Sequence, residues 1–489
     1  MRIPVSLLAV VLAAAVIPDL PAQVPGSVGA PGRPRPNVVV VLVDDMGWGD
    51  FSCFGNTAAR TPNIDRLAAE GLRFSQFYVA SPICSPSRAG ISTGQYPHRW
   101  RITSFLNNRA ENEARGMAQW LDPRAPMLAR ILRDAGYATG HFGKWHLGGQ
   151  RDVGDAPLIA DYGFDRSLTN FEGLGPRVLP LLDARDGSPP RRHALGSDTL
   201  GRGEIAWADR DAVTTRFVDA AVGFIREAAA GGKPFYVNLW PDDVHSPFFP
   251  PAALRGDGAK RTLYHAVLER MDAQLAPLFD EIRGTPGLRE NTLVLVCSDN
   301  GPEDGAGSAG PFRGTKVMLY EGGVRSPLVV WGPGFIPAGR AGSWNRSSVL
   351  AAIDLAPSLL ALAGVRPPEG VAFDGEALPR VLAGEAGESR RGPLFFRRPP
   401  DRGAYYGVAN LPDLAVRHGR WKLLCEYDGS GAELYDLESD PGETRDLAAR
   451  HPEETARLQT SLLEWHRAMP PDNGATYRPS PAKGKKKQG

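Results

Sequence analysis

The chain has 489 residues, with 56 Lys+Arg against 55 Asp+Glu and only four cysteines. The near balance of charge excludes a nucleic-acid binder built on a basic surface, and the length allows a large core and two domains. So few cysteines exclude a disulfide-stapled scaffold, and none is spaced for zinc.

Residues 1–22 carry Arg2, an apolar stretch from Val5 to Ile17 and a Leu20-Pro21-Ala22 exit. This is a signal-peptide pattern, too short for a comfortable membrane span. No other stretch could cross a bilayer, so an exported chain is expected, periplasmic or secreted and not transmembrane. A Gly/Pro-rich linker over 23–35 leads to Asn37–Val43, whose β-branched run reads as a strand buried on both faces and ends on Asp44-Asp45. A helix follows over Pro62–Glu70. At Cys84-Ser85-Pro86-Ser87-Arg88 another helix is expected, with Ser85 as N-cap and Pro86 as first helical residue. Cys84 then lies at the positive end of that helix with Arg88 one turn inside, a setting that lowers a thiol pKa and favours a nearby anion. Arg99, Trp100 and Arg101 read as surface and packing residues.

Pro126–Ala135 has helical spacing closed by Gly136, and Tyr137–Phe142 reads as a strand running into Gly143-Lys144-Trp145-His146-Leu147-Gly148. The Pro/Arg-rich stretch 174–202 reads as an insertion or flexible loop. Thr214–Ala229 is a helix, and Pro234–Trp240 a strand followed by Asp242-Asp243-Val244-His245. That acidic doublet reads as turn or rim. Tyr264–Ile282 is helical, and the Thr292–Cys297 strand delivers Asp299-Asn300. Gly314-Thr315-Lys316 and Glu321-Gly322-Gly323-Val324-Arg325 precede a strand over Leu328–Trp331 and a helix over Ile353–Ala363. Strands alternating with helices predict a doubly wound α/β domain, placed at 36–385. Short strands at Leu414–Arg417, Trp421–Tyr427 and Glu433–Asp436 and a helix at His451–Arg467 mark a second unit, 386–470. Residues 471–489, with Lys483, Lys485, Lys486 and Lys487, read as a solvated basic tail.

Ligands of open α/β sheets collect beyond the carboxyl ends of strands. Asp44, Asp45, Asp299 and Asn300 bring hard oxygen donors there, which suit calcium or magnesium better than zinc. Asp and Asn are equally common in turns. Cys53, Cys297 and Cys425 allow at most one disulfide, and Cys297 reads as a core residue.

Cys84 to Gly94 resembles the Cys-x-Pro-Ser-Arg-x-x-x-Leu-Thr-Gly signature of type I, formylglycine-dependent sulfatases of the alkaline phosphatase superfamily. It departs from the pattern at Ser92. The Asp45–Asp50 and Gly143–Gly148 segments look most like the N-acetylgalactosamine-6-sulfatase and arylsulfatase A group. The resemblance implies a large, mostly parallel mixed sheet sandwiched by helices, and a small C-terminal α+β subdomain with an antiparallel sheet. It implies that a formylglycine-generating enzyme converts Cys84 to formylglycine (3-oxoalanine). It also implies that Ca2+, or Mg2+, is held by Asp44, Asp45, Asp299, Asn300 and an oxygen of the modified Cys84. The substrate would be a sulfated saccharide: Lys144 and Lys316 grip the sulfate, His245 is the general acid, His146 the base, and Arg88 orients the nucleophile. A phosphonate or phosphodiester hydrolase of the same superfamily is the nearest rival, and a non-catalytic binder of sulfated glycans a further one. A hydrolase using Cys84 as a thiol leaves the four oxygen donors unexplained.

Overall fold

The computed structural model describes residues 34–477 apart from 184–187, 386, 404–409 and 475. The expected leader, most of the linker and most of the tail therefore lie outside the described residues. In chain order the strands are β1 (Asn37–Val43), β2 (Leu72–Tyr78), β3 (Ala138–Gly143), β4 (Arg166–Leu168), β5 (Arg177–Leu182), β6 (Arg191–Arg192), β7 (Ile205–Asp209) and β8 (Phe235–Trp240). They continue with β9 (Thr292–Ser298), β10 (Arg325–Trp331), β11 (Ser343–Asn345), β12 (Leu350–Ala351), β13 (Leu394–Arg397), β14 (Leu414–His418), β15 (Trp421–Cys425) and β16 (Glu433–Asp436).

The central sheet runs β11-β2-β10-β9-β1-β8-β3-β4, with β12 also on β2. Only β10 is antiparallel to its neighbours. All seven residues of β1 are buried. Val39, Val41 and Val43 pack with Phe217 and Leu268 of the Val213–Ala230 and Lys260–Gly284 helices. Val38, Val40 and Leu42 face the other way, into the cluster of Ala89, Leu128 and Leu355. Full burial of such a side chain stabilises by roughly 1.5–3 kcal/mol, so a β-branched run gains most where helices cover both faces. The expected helix sandwich follows from this period-two alternation.

β1 and β9 pair in parallel with Val43 opposite Ser298, so the turns after them emerge side by side. The Asp299 amide donates to the Val43 carbonyl (3.2 Å) and the Asp44 amide to the Pro241 carbonyl after β8 (3.1 Å). Three strand ends are thereby tied at one sheet edge.

The stretch expected as a loose insertion, 174–202, instead contributes β5 and β6 to a three-stranded sheet ordered β6-β5-β7. Its basic residues are partly internal: Arg177 is buried and donates to the Ser197 carbonyl and hydroxyl (2.7 and 2.9 Å). A proline- and arginine-rich composition hid strands whose arginines find backbone, hydroxyl and aromatic partners.

β13-β14-β15-β16 form an antiparallel sheet backed by the Pro452–Ala468 helix, with Leu423, Leu424, Leu458 and Leu462 in one core with Tyr78 and Val324. A buried charge cluster joins this sheet to the central one. Glu321 accepts from Tyr78 Oη (2.6 Å), Arg325 Nη1 (3.1 Å) and Lys422 Nζ (3.0 Å). Lys422 also pairs with Glu443 (2.9 Å), which accepts from the Glu321 amide (2.7 Å). Among the described residues no helix is long and apolar enough to cross a membrane.

Candidate active site

Cys84 is the first residue of the Cys84–Thr93 helix, all ten residues of which are buried. Ser85 does not cap it. The helix begins two residues earlier than expected, with extended Ile83 at the N-cap, and Ser85 Oγ accepts from the Leu106 amide (2.9 Å) instead. The thiol also departs from expectation. Burial outweighs the nearby Lys144 and Lys316 and pushes it up to about 12, so Cys84 is a neutral thiol rather than a thiolate. A helix terminus acts through partial charges, and these do not offset removal from water. The reading of Cys84 as a thiol nucleophile loses its basis.

Around Cys84 stand the residues from the strand ends. Ligand atoms of Asp44, Asp45 and Cys84 lie within 4.8 Å of one another. Arg88 reaches out of the helix to bridge two strands: its Nη2 donates to Asp44 (2.9 Å) and Asp299 (2.8 Å), its Nε to Asp299 (3.0 Å), its Nη1 to the Lys144 carbonyl (2.7 Å). Lys144 Nζ donates to Asp44 Oδ2 (2.7 Å) and Lys316 Nζ to Asp45 Oδ2 (2.5 Å). Asn300 gives its amide nitrogen to Asp45 Oδ1 (2.9 Å) and the Gly301 carbonyl (2.8 Å), leaving its buried Oδ1 with no hydrogen-bond partner.

Burial favours the neutral form of every one of these carboxyls. At Asp44 that is outweighed by Lys144 and Arg88, which hold it well below the usual range, and at Asp45 by Lys316 and His245. Asp299 is pushed up by burial and by Asp44, against Arg88. Three carboxylates and an orphaned amide oxygen in one dry place suit a hard divalent cation, and the donor set fits one. Arg88, Lys144 and Lys316 balance Asp44, Asp45 and Asp299, so a bound divalent ion would leave excess positive charge for an anionic group.

His146 follows at the end of β3 with φ +57°, and Asp45 (φ +60°) and Val317 (φ +68°) are also left-handed. Such conformations cost of order 1–3 kcal/mol each and gather where a site over-determines the backbone. His146 is buried, with Nε2 at 2.8 Å from the Leu106 carbonyl and 3.3 Å from Glu172 Oε2. A carbonyl only accepts, so Nε2 carries the proton, and Nδ1 is buried without a partner. Burial, then Lys144, hold this imidazole well below its ordinary range. His245 is one-third exposed; its Nδ1 lies 2.7 Å from the Ser246 carbonyl and its Nε2 3.6 Å from Asp45.

The structure thus brings together all ten residues singled out in the sequence. It adds Glu172, which no motif marked. The Asp242-Asp243 doublet enters a turn, as one of its two readings had it, but it is interior and not rim: Asp242 accepts from Arg210 Nη1 (3.0 Å) and Asn170 (2.9 Å), and Asp243 from Thr214 and Gln274. Arg99 pairs with Asp374 at the surface (2.6 Å). All four cysteines are free.

A pocket of about 450 Å³ opens over Asp45, His245 and Lys316. It shares Ser246 and Lys260 with a neighbouring cleft of about 690 Å³, lined by Pro247, Phe248, Phe249 and Arg191.

Comparison with known proteins gives this geometry relatives. Residues 36–365 match the family model described as Sulfatase, and residues 311–467 that described as N-sulphoglucosamine sulphohydrolase, C-terminal. The chain is 33% identical over 386 residues to N-acetylgalactosamine-6-sulfatase of Canis lupus familiaris, covering 76% of this chain and 70% of the relative. It is 31% identical over 470 residues to human arylsulfatase A, covering 86% and 84%. The solved sulfatase PsFucS1 from Pseudoalteromonas sp. superposes with a TM-score of 0.68 at 25% identity, covering 89% of this chain and 90% of that one. The phosphonate monoester hydrolase of Agrobacterium radiobacter shares the fold at a TM-score of 0.60 and 20% identity, covering 92% and 99%.

Proposed function

The chain belongs to the sulfatase family of sulfuric ester hydrolases, and on that premise we propose that it cleaves sulfate from sulfated carbohydrates, using a formylglycine made from Cys84 and a calcium ion. The observation that carries the reading is the convergence of Asp44, Asp45 and Cys84, with the orphaned Asn300 oxygen, beneath two lysines. Asp44, Asp45, Asp299, Asn300 and the modified residue would hold the cation. When present, the cation supplies Lewis acidity and formylglycine supplies a carbon that carries two hydroxyls in water.

The remaining work falls to this chain's own side chains. Lys316 lines the pocket and Lys144 lies buried behind it on Asp44; their two ammonium groups would bind sulfate oxygens and stabilise charge that grows in the transition state. Arg88 clamps Asp44 to Asp299 and so fixes β1 and β9 relative to the nucleophile's helix. His146 Nδ1 accepts a proton, and His245, at the pocket mouth, donates one to the departing oxygen. The buried helix supports a further element of the reading: a formylglycine-generating enzyme reads residues 84–88 before the chain folds, because the folded helix offers them to no partner. Export through the Met1–Ala22 leader belongs to the same proposal.

The carbohydrate reading draws on the relatives' names and on the cleft beside the pocket. Pro247 and Phe249 offer apolar surface of the kind on which sugar rings stack, and Lys260 and Arg191 offer charge. The test is free sulfate released from a panel of sulfated saccharides, with calcium, by protein from a host that makes formylglycine. Release from one saccharide class, absent in Cys84→Ala, is expected. Preferential hydrolysis of a phosphonate ester over every sulfate ester would overturn the reading.

A further inference from the structure

Among the described residues, Glu172 is the acidic side chain beside Lys144 and His146 that neither the cation site nor the sulfate grip uses. It is 4% exposed, and burial raises its pKa against Arg151 and Lys144. Nature rarely buries a carboxyl without a partner. Here Oε2 is buried with no hydrogen-bond partner and faces His146, whose amide donates to the Glu172 backbone carbonyl (2.7 Å) and whose Nε2 lies 3.3 Å from Oε2. Glu172 is itself braced. Its amide donates to Asn170 Oδ1 (2.9 Å), and Asn170 Nδ2 donates to Asp242 (2.9 Å), which Arg210 grips. Asp242, just after β8, therefore anchors the loop that carries Glu172.

The charged groups acting on His146 are Lys144, Arg88 and Asp44, and the Glu172 carboxyl faces the ring at 3.3 Å. Two cations oppose a third positive charge on the ring. We propose that Glu172 is the positioning residue of His146, keeping its left-handed backbone and ring in place and compensating the imidazolium that forms when Nδ1 takes a proton. The proton enters at Nδ1, Nε2 keeps its own, and the new charge is shared toward Oε2. The Leu106 carbonyl fixes the tautomer, and Glu172 supplies the charge, a division of labour that one carboxylate performs alone in serine-protease triads. The inference rests on His146 being the base.

The experiment compares wild type, Glu172→Gln, Glu172→Ala, His146→Ala and the Glu172→Gln/His146→Ala pair on a soluble sulfate ester. Calcium affinity and thermal midpoint are measured on each. Glu172→Gln keeps shape and removes charge. Its kcat is expected to fall on the order of 10²-fold while KM and calcium affinity stay within about threefold, and the change should add nothing in the His146→Ala background. Wild-type kcat in Glu172→Gln, or an equal further loss in the His146→Ala background, overturns the inference. So does a loss explained wholly by a lower thermal midpoint at unchanged kcat per folded molecule. A wild type inert on every sulfate ester would instead remove the base role, and the inference with it.

Discussion

Two buried charge clusters meet the segment between Lys316 and Arg325, and they are built on opposite principles. Around Glu321, every carboxylate faces a cation or a donor: Tyr78, Arg325 and Lys422 on Glu321, and Lys422 again on Glu443. Around Cys84 the charges also pair, yet Asn300 Oδ1, Glu172 Oε2 and His146 Nδ1 are buried with no hydrogen-bond partner. A network closed on itself joins two sheets. A network left open by two oxygens and one nitrogen leaves room for a ligand and a proton.

The comparison breaks most easily by activity. Lys144→Met should lower kcat/KM by about 10²–10³-fold while the thermal midpoint changes little, because it removes a charge aimed at the transition state. Equal kinetics in wild type and variant would move Lys144 out of the site. Lys422→Met should do the reverse: it strands two buried carboxylates and costs about 3–5 kcal/mol in denaturant unfolding, with kcat per folded molecule retained. A neutral result there would show that the clamp is expendable.

A third experiment uses the cation. Calcium at a hundredfold excess over its Kd should stabilise the wild type by about 2.7 kcal/mol, and chelator should abolish the effect. Asn300→Ala should weaken it and Lys422→Met should leave it intact. An unchanged calcium titration in Asn300→Ala would remove that residue from the ligand set. Acid sharpens the other side. Burial raises the Glu321 carboxyl, but Lys422 and Arg325 hold it at about 2 against an ordinary 4.5. Its contribution is therefore present above about pH 4.5 and lost as pH falls toward 2, and the stability gap between wild type and Glu321→Gln should narrow across that window. The smallest effect is expected at Arg99→Ala: a half-exposed pair with Asp374 contributes roughly 0.2–1 kcal/mol, and substrate kinetics should not move.

What could be read in advance follows from how local each signal is. β1 and β9 were legible because a both-faces-buried strand must be a continuous apolar run, and the acidic turns after them stood out against it. Lys144, His146, His245 and Lys316 were legible as strand-end residues joined by a resemblance. Glu172 was not, because a glutamate in a loop carries no mark until folding sets it beside an imidazole. Ser85 misled because a cap preference of about 1 kcal/mol was overridden by the demand of the Leu106 amide. The thiol misled for a related reason: sequence shows a helix start and hides the depth at which it is buried. The strands of 174–202 were obscured by prolines and by arginines that find backbone, hydroxyl and aromatic partners.

The residues proposed to hold the cation are far apart along the chain; the contact between Asp45 and Asp299 closes 254 residues. Closing so long a loop carries an entropic cost that no isolated fragment can meet, so an unfolded or half-paired chain offers a cation only scattered carboxylates. A cation held as proposed would bind only after β1 and β9 have paired. Its stabilisation must then appear almost wholly as slower unfolding, with the folding rate left as the sheet alone sets it.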